Sequence, residues 1–281
     1  FQQPASGSVG KLWKTINGGT DWTQTTVPTG DSRVCAISLS ATDANTLWLG
    51  FTYGGNGSKV FKTTDGGNTW SNTTTTMLDG ENIQSVMHQG GTNGGVYVGT
   101  QNAVYYRNNT LSNWVLYADA LPTVISTDQL RPFYKNNKIR TASYGKGIWQ
   151  ADLYEPSTPV AQPMANKLIS YCPNDSIQFE DYSILDHTGA TWLWQFEGGS
   201  PATSTLRNPT IAYNTAGSYD VTLTVTNANG SNTKTVANMI TIAPNATNSL
   251  PVTENFEGTL NLTIVNPDQA IGWASTAPNC A

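Results

Sequence analysis

An eight-residue segment that occurs twice in this chain constrains its fold more than any other feature. The stronger copy is Thr63–Trp70 (TTDGGNTW), and the weaker copy is Thr15–Trp22 (TINGGTDW). An apolar run precedes each copy, and the two tryptophans stand 48 residues apart. Self-similarity at such a spacing predicts a repeat architecture, and the period is that of one four-stranded propeller blade.

The residue types of this segment explain why it forms a turn between two strands. A Gly-Gly connection supplies the positive φ angles that tight hairpin turns require. An Asp or Asn just before it accepts hydrogen bonds from the turn amides. The tryptophan covers the hairpin with a large apolar ring. The residues with this predicted structural role are Asn17, Gly18, Gly19, Trp22, Asp65, Gly66, Gly67, Thr69 and Trp70.

The pattern S/T-x-D-x-G-x-T-W in the second copy resembles the Asp-box of sialidase-like and sortilin-like propellers. This resemblance implies a folding device and not a catalytic one, with a carbohydrate contact by the tryptophan rings as the alternative. Trp114 follows Trp70 by 44 residues and marks a third blade without the box. The run Lys138–Trp149 resembles the last strands of sortilin-type bacterial propellers.

Residues 1–155 therefore read as roughly three C-terminal blades of an Asp-box β-propeller. Closed propellers need 4–8 blades, so we expect further blades upstream, and we expect 1–155 not to be self-sufficient. The apolar residues expected to line the open N-terminal face are Trp13, Val34, Ile37, Trp48 and Phe51.

Composition restricts the function classes. Charged residues make up 12% of the chain, about half of the usual share. The net charge is −5 with a pI near 4.9, which argues against a nucleic-acid partner. No apolar run reaches the length of a transmembrane segment, and the first residues do not resemble a signal peptide. This composition is typical of secreted bacterial surface β-proteins, so we expect an extracellular or cell-surface location.

A Pro-rich linker, 156–164, precedes a second predicted domain at 165–244. Its segment Trp192–Gly199 (WLWQFEGG) resembles the W-x-F-G-D-G signature of PKD domains, and Asn208–Val221 is similar to the second signature of that family. The resemblance implies an Ig-like β-sandwich. Its expected core residues are Trp194, Phe196, Tyr213, Gly217 and Tyr219. Glu197 departs from the Gly-Asp-Gly form, which weakens any transfer of a cation-binding role.

Residues 245–281 resemble the opening of the choice-of-anchor J jelly-roll family and are too few to close such a module. Glu254 and Glu257 offer oxygen ligands for Ca²⁺, and no other cofactor is predicted. Cys35, Cys172 and Cys280 fall in three different modules, so we expect buried or unpaired thiols. The fold class is thus all-β: partial propeller blades, a PKD sandwich and the start of a jelly roll.

No catalytic residue is predicted. The two histidines, His88 and His187, lie in different modules. The acidic neighbours Asp79 and Glu81, and likewise Glu180 and Asp181, are expected in solvated turns, because glycoside cleavage needs carboxylates that face each other across a cleft.

The tripeptide Asp175–Ile177 is similar to the O-glycosylation acceptor of bacteria with type IX secretion, with Ser176 as the modified residue. The leading hypothesis is a non-catalytic segment of a secreted or cell-surface protein that acts as spacer, adhesion or polymer-binding architecture. The alternatives are an accessory region of a secreted glycoside hydrolase or peptidase, and a cargo or subunit of the type IX machinery. The expected partners are an extracellular polysaccharide, a protein ligand or secretion-system components.

Overall fold

The computed structural model describes residues 11–28, 33–117, 121, 126–171 and 175–244. These residues form β-strands, turns and two short 3-10 helices, Thr76–Leu78 and Tyr134–Asn136, and no α-helix. The all-β prediction is therefore confirmed. The described residues fall into two compact units: the first comprises those up to 162 with 183–191 and 225–233, and the second comprises 163–182, 192–224 and 234 onward.

The first unit contains four antiparallel sheets in chain order, here called blades A to D. Blade A has two strands, β1 (Leu12–Lys14) and β2 (Thr23–Thr25). Blade B has four strands: β3 (Val34–Leu39), β4 (Leu47–Phe51), β5 (Val60–Thr63) and β6 (Ser71–Asn72). Blade C also has four: β7 (Ile83–His88), β8 (Val96–Thr100), β9 (Val104–Arg107) and β10 (Val115–Tyr117). Blade D has three: β11 (Thr127–Phe133), β12 (Lys138–Ser143) and β13 (Gly147–Asp152).

Strand β4 shows how the blades are covered on both faces. Leu49 and Phe51 pack with Leu12 and Val27 on the blade A side. Trp48 lies between Leu47 and Leu49 in β4, so its side chain points to the opposite face of the strand. There it packs with Val86 and other residues of blade C. The expectation that Trp48 lines the open N-terminal face is therefore wrong, because its side chain points to the opposite side of the sheet.

The first strand of each of blades B, C and D contains a β-bulge at the same position. The register skips one residue at Cys35 in β3, at Gln84 in β7 and at Asp128 in β11. Because a bulge bends its strand and increases its twist, this repetition gives the three sheets a common local shape at their first strands.

Two glycines allow the sheets to approach closely beside these bulges. A Cβ on Gly50 would lie 2.7 Å from Val86 Cγ2, and a Cβ on Gly99 would lie 2.5 Å from Thr127 Cγ2. In each case the obstructing side chain belongs to the following blade. Ser85 adds a hydrogen bond across the same contact, donated by its hydroxyl to the Thr127 carbonyl at 2.9 Å.

Two tryptophans at equivalent positions, Trp70 of blade B and Trp114 of blade C, connect successive blades. The Trp70 indole N–H donates to the carbonyl of Thr26 at 2.9 Å, and the Trp114 indole N–H donates to the carbonyl of Thr73 at 2.9 Å. Each acceptor lies just after the outermost strand of the preceding blade. Trp22 donates instead to Gly19 in its own turn, at 3.0 Å.

After β13 the chain runs back across blade C. The Tyr154 amide donates to the Tyr97 hydroxyl at 2.6 Å, and the Tyr106 hydroxyl donates to the Glu155 carboxylate at 2.6 Å. The Thr158 amide then donates to the Gly91 carbonyl at 2.8 Å. The first residues of the predicted linker are therefore held against blade C by specific hydrogen bonds.

The second unit is built from two facing sheets. Nine strands contribute: β14 (Pro163–Ala165), β15 (Ile169–Ser170), β16 (Ser176–Asp181), β17 (Thr191–Phe196), β18 (Gly199–Ser200), β19 (Thr203–Ser204), β20 (Thr210–Tyr213), β21 (Gly217–Asn227) and β22 (Gly230–Ile242). One sheet has the order β14-β16-β20-β18 and the other β15-β22-β21-β17-β19. Phe179 of the first sheet packs against Trp194 and Phe196 of the second.

Candidate functional site

The second copy of the repeated segment forms a closed hydrogen-bond network around Asp65. Its carboxylate accepts the backbone amides of Asn68 (3.0 Å) and Thr69 (2.9 Å), together with the hydroxyls of Thr63 (2.7 Å) and Thr69 (2.5 Å). Gly66 and Gly67 adopt φ values of 70° and 91°, which glycine reaches without steric cost. These bonds to the charged form, with the Thr69 hydroxyl first, hold the pKa of Asp65 well below its ordinary value.

The first copy forms a similar turn, but it has Asn17 where the second copy has Asp65, and Asp21 where the second copy has Thr69. The side-chain oxygen Oδ1 of Asn17 accepts the Asp21 backbone amide at 2.9 Å, and the side-chain nitrogen of Asn17 donates to the Asp21 carboxylate at 2.8 Å. Gly18 and Gly19 have φ values of 69° and 98°. The carboxylate thus stands at the seventh position of this copy and at the third position of the other. In both copies the side chain at the third position accepts the backbone amide four residues later.

We predict that Asp65→Ala lowers the thermal midpoint of the first unit, because two amides and two hydroxyls lose their acceptor. Asp65→Asn is expected to cost less, since Asn17 accepts the corresponding amide in the first copy. Thermal melting of both variants checks this order. Equal melting of Asp65→Ala and wild type, with a ligand-binding defect instead, would contradict a structural role for this turn.

The predicted residues of the PKD core occupy both layers of the second unit. Trp194, Phe196 and Tyr213 are at most 2% exposed. Tyr219 is half-buried, stacks on Tyr213 at 4.9 Å and donates its hydroxyl to the Thr215 carbonyl at 2.8 Å. Gly217 is exposed with a φ of 158° and does not lie in the core, which corrects the sequence-based expectation for this residue.

Glu180 and Asp181 do not lie in a solvated turn but in strand β16, which corrects the sequence-based expectation. Glu180 is half-buried, and Asp181 ends the strand and is 5% exposed. Its carboxylate accepts the Trp192 indole N–H at 2.8 Å and lies 3.5 Å from the Arg207 guanidinium. Sequence reasoning missed this because the two partners lie 11 and 26 residues away and no local motif joins them.

Ser176 is exposed at the start of β16, and the neighbouring Asp175 carboxylate accepts hydrogen bonds from Lys167 and Ser170. Glu254 and Glu257, the predicted Ca²⁺ ligands, lie outside the described residues, as do the predicted jelly roll and the other two cysteines. Cys35 is a free thiol. Within 11–28, 33–117, 126–171 and 175–244, no group of three or more His, Cys, Asp or Glu side chains is arranged to hold a metal ion.

A cleft at the contact between blades B and C brings together three side chains that the sequence analysis did not connect; we call it the blade cleft. Trp48 of β4 stacks on His88 of β7, with ring centroids 4.7 Å apart and planes 15° apart. The ammonium group of Lys62, on β5, lies 5.2 Å from the centre of the Trp48 ring. Opposing strands bring these residues into contact, since Trp48 pairs with Lys62 in the β4–β5 register.

The blade cleft consists of two adjoining cavities that share Trp48, Lys62 and Gly94. The smaller, about 150 Å³, is also lined by Arg107, Asn108 and Asn109. The larger, about 500 Å³, extends past His88, Thr92 and Asn93. A volume of several hundred Å³ with a few converging polar groups is the usual form of a ligand site.

Burial, with a smaller contribution from the Lys62 charge, lowers the pKa of His88 from 6.5 to about 4. A histidine with a depressed pKa in the folded state is protonated first in the unfolded chain. Its contribution to stability is therefore complete above pH 6.5 and is lost as the pH falls from 6.5 towards 4.

We predict that the free energy of unfolding falls by about 1–2 kcal/mol between pH 7 and pH 5 because of His88. His88→Phe keeps a ring stacked on Trp48 but has no titrating group, so it should lose much less stability over the same interval. Chemical denaturation of both proteins at the two pH values measures the difference. Parallel losses in the two proteins would show that His88 is not the titrating group.

A family model matches part of this chain, including most of the described second unit. Residues 157–242 match the family model described as PKD domain. The chain is similar to the PKD1 domain of Vibrio anguillarum Epp, with 28% identity over 32% of this chain and 99% of that chain and a TM-score of 0.26. It is also similar to YCF48 bound to D1 peptide, with 13% identity over 81% of this chain and 62% of that chain and a TM-score of 0.39. Among curated proteins, none matches this chain.

An ancestral GH74 enzyme is a further similar structure, with 14% identity over 80% of this chain and a TM-score of 0.38. This chain spans 35% of the length of that enzyme. The family match at 157–242 is to a PKD domain, a domain typical of the extracellular parts of multi-domain proteins. None of the helices in the described residues is long and apolar enough to cross a membrane.

Proposed function

We propose that this chain is a non-catalytic segment of a secreted or cell-surface multi-domain protein, in which it serves as polymer-binding and spacing architecture. The observation that carries this proposal is the PKD-domain match at 157–242, which follows directly on the propeller-like blades. A sandwich with a continuous aromatic core supplies a rigid spacer. The blades supply a surface with a cleft large enough to hold part of a polymer chain.

The finer features of the resemblance belong to the same proposal. The turns at Asn17 and Asp65 act as Asp-box folding devices, because each of these side chains accepts hydrogen bonds from amides of its own turn. Ser176 is the acceptor for O-glycosylation during export by a type IX route, and its exposure supports access by a modifying enzyme. Mass spectrometry of the protein from its natural source tests this site directly.

Labelling of intact cells tests the extracellular location. A membrane-impermeant, amine-reactive biotin reagent should label this chain on intact producing cells, or the chain should be present in the medium. A cytoplasmic protein of the same cells serves as the control for lysis. Recovery of the chain only after cell disruption would contradict the proposal.

A further inference from the structure

The charge around the smaller cavity of the blade cleft is opposite in sign to that of the whole chain. The chain carries a net charge of −5, yet Lys62 and Arg107 both line this cavity and no carboxylate does so among the described residues. Two cationic side chains that line one cavity create a positive potential there, which attracts an anion. The arrangement therefore favours an anionic ligand.

Lys62 is the group in this cavity that is available to bind a ligand. Arg107 already has hydrogen-bond acceptors within the protein, since its guanidinium donates to the carbonyls of Thr73 (2.6 Å) and Leu111 (3.3 Å). The Lys62 ammonium group lies over the Trp48 ring and has no hydrogen-bonded acceptor or ion-pair partner in the part of the chain that the structure describes.

Lys59, three residues earlier, shows what a structural lysine looks like in the same sheet. It is 3% exposed, and its ammonium group donates to the carbonyls of Gly54 (2.9 Å) and Glu81. Lys62 lacks such acceptors although it lies on β5, the strand that Lys59 directly precedes. Its ammonium group therefore retains donors for a ligand.

The larger cavity adds the features expected for the remainder of a ligand. It continues from Lys62 past His88 to the turn that contains Thr92 and Asn93. One carboxylate, that of Asp43, also lines it and already accepts hydrogen bonds from the Asn45 amide and the Thr46 hydroxyl. Amides and hydroxyls beside an aromatic wall are typical of sites that bind polyhydroxylated molecules, because they pair with hydroxyl groups in either direction. The volume of about 500 Å³ lies in the range of small-molecule sites.

We propose that the blade cleft binds an acidic polysaccharide, with Lys62 holding a carboxylate or sulfate group of one sugar unit and the larger cavity holding the adjoining unit. This inference rests on the proposed polymer-binding function, because it takes the bound molecule to be a polymer. Carboxylate and sulfate present the same charged oxygen acceptors to an ammonium group, so both are named and the experiment separates them.

Isothermal titration of the full chain with three oligosaccharides of equal length tests the inference. The probes are an oligogalacturonate, a sulfated oligogalactan and a neutral oligogalactan. We expect one acidic probe to bind, and we expect Lys62→Gln to weaken that binding about tenfold or more, as for the loss of a charge-assisted hydrogen bond. Lys62→Arg, which retains the charge, should keep most of the affinity.

Lys135→Gln is the matched control, because it removes the same charge from an exposed lysine outside the cleft and should bind as wild type does. Thermal melting establishes that each variant is folded. The inference is overturned if neither acidic probe binds, if the neutral probe binds equally well, or if Lys62→Gln binds as tightly as wild type. In each of these cases, retention of the chain on a polymer through another surface would leave the broader polymer-binding function intact.

Discussion

Gly99→Ala is expected to lower the stability of the first unit strongly. The new Cβ would lie 2.5 Å from Thr127 Cγ2 and closer still to the Ser85 hydroxyl. The blades would have to separate or repack, and overpacking of this kind costs about 2–3 kcal/mol. Hydrogen exchange of the full chain measures the effect, as a fall in the opening free energy of peptides from β7 to β9.

Gly55→Ala is the control for this experiment. A Cβ on Gly55 meets nothing within 4 Å, so its effect should stay within about 0.5 kcal/mol. If Gly99→Ala is as stable as Gly55→Ala, blades C and D do not pack as closely as the structure shows.

Trp194→Ala is expected to have the largest effect in the PKD domain. The Trp194 side chain is fully buried and packs between Phe179 and Phe196, with ring centroids at 5.8 Å and 5.7 Å. Removing such a ring leaves a cavity that costs about 3–5 kcal/mol. The fall should be found in the opening free energy of peptides from β16, β17 and β21.

Two further variants show whether this loss comes from the cavity. Leu193→Ala changes the adjacent residue on the opposite face of β17, where it is 44% exposed, and should cost about 0.5 kcal/mol or less. Trp194→Phe should cost much less than Trp194→Ala, because the indole N–H has no hydrogen-bond partner among the described residues and its removal relieves a desolvation cost. Similar losses for Leu193→Ala and Trp194→Ala would contradict the assignment of Trp194 to the core.

Much of this fold could be predicted from the sequence because its strongest signals are local. The turns at Gly18-Gly19 and Gly66-Gly67 need positive φ, which glycine supplies. The side chains of Asn17 and Asp65 each accept a backbone amide only four positions further along the chain. The alternation in β21 and the aromatic run in β17 likewise follow from strand geometry.

The contacts between blades could not be predicted in the same way, because they join residues that are far apart in the chain. Trp48 and His88 stack across 40 positions, and neither lies in a motif. One signal was present: Gly50 and Gly99 occupy matching positions of β4 and β8, after the pairs Trp48-Leu49 and Tyr97-Val98. A glycine at the same position of successive repeats indicates a close approach by a neighbouring element.

Retention on immobilised polysaccharides, with an assay for newly released reducing ends, tests the proposed function most directly. Columns that carry acidic or neutral polymers are loaded with the full chain, and bound protein and reducing ends are measured over time. The account predicts that an acidic polymer retains the chain and that no reducing ends appear above the protein-free control. Release of reducing ends, or passage through every column without retention, would contradict a non-catalytic polymer-binding segment.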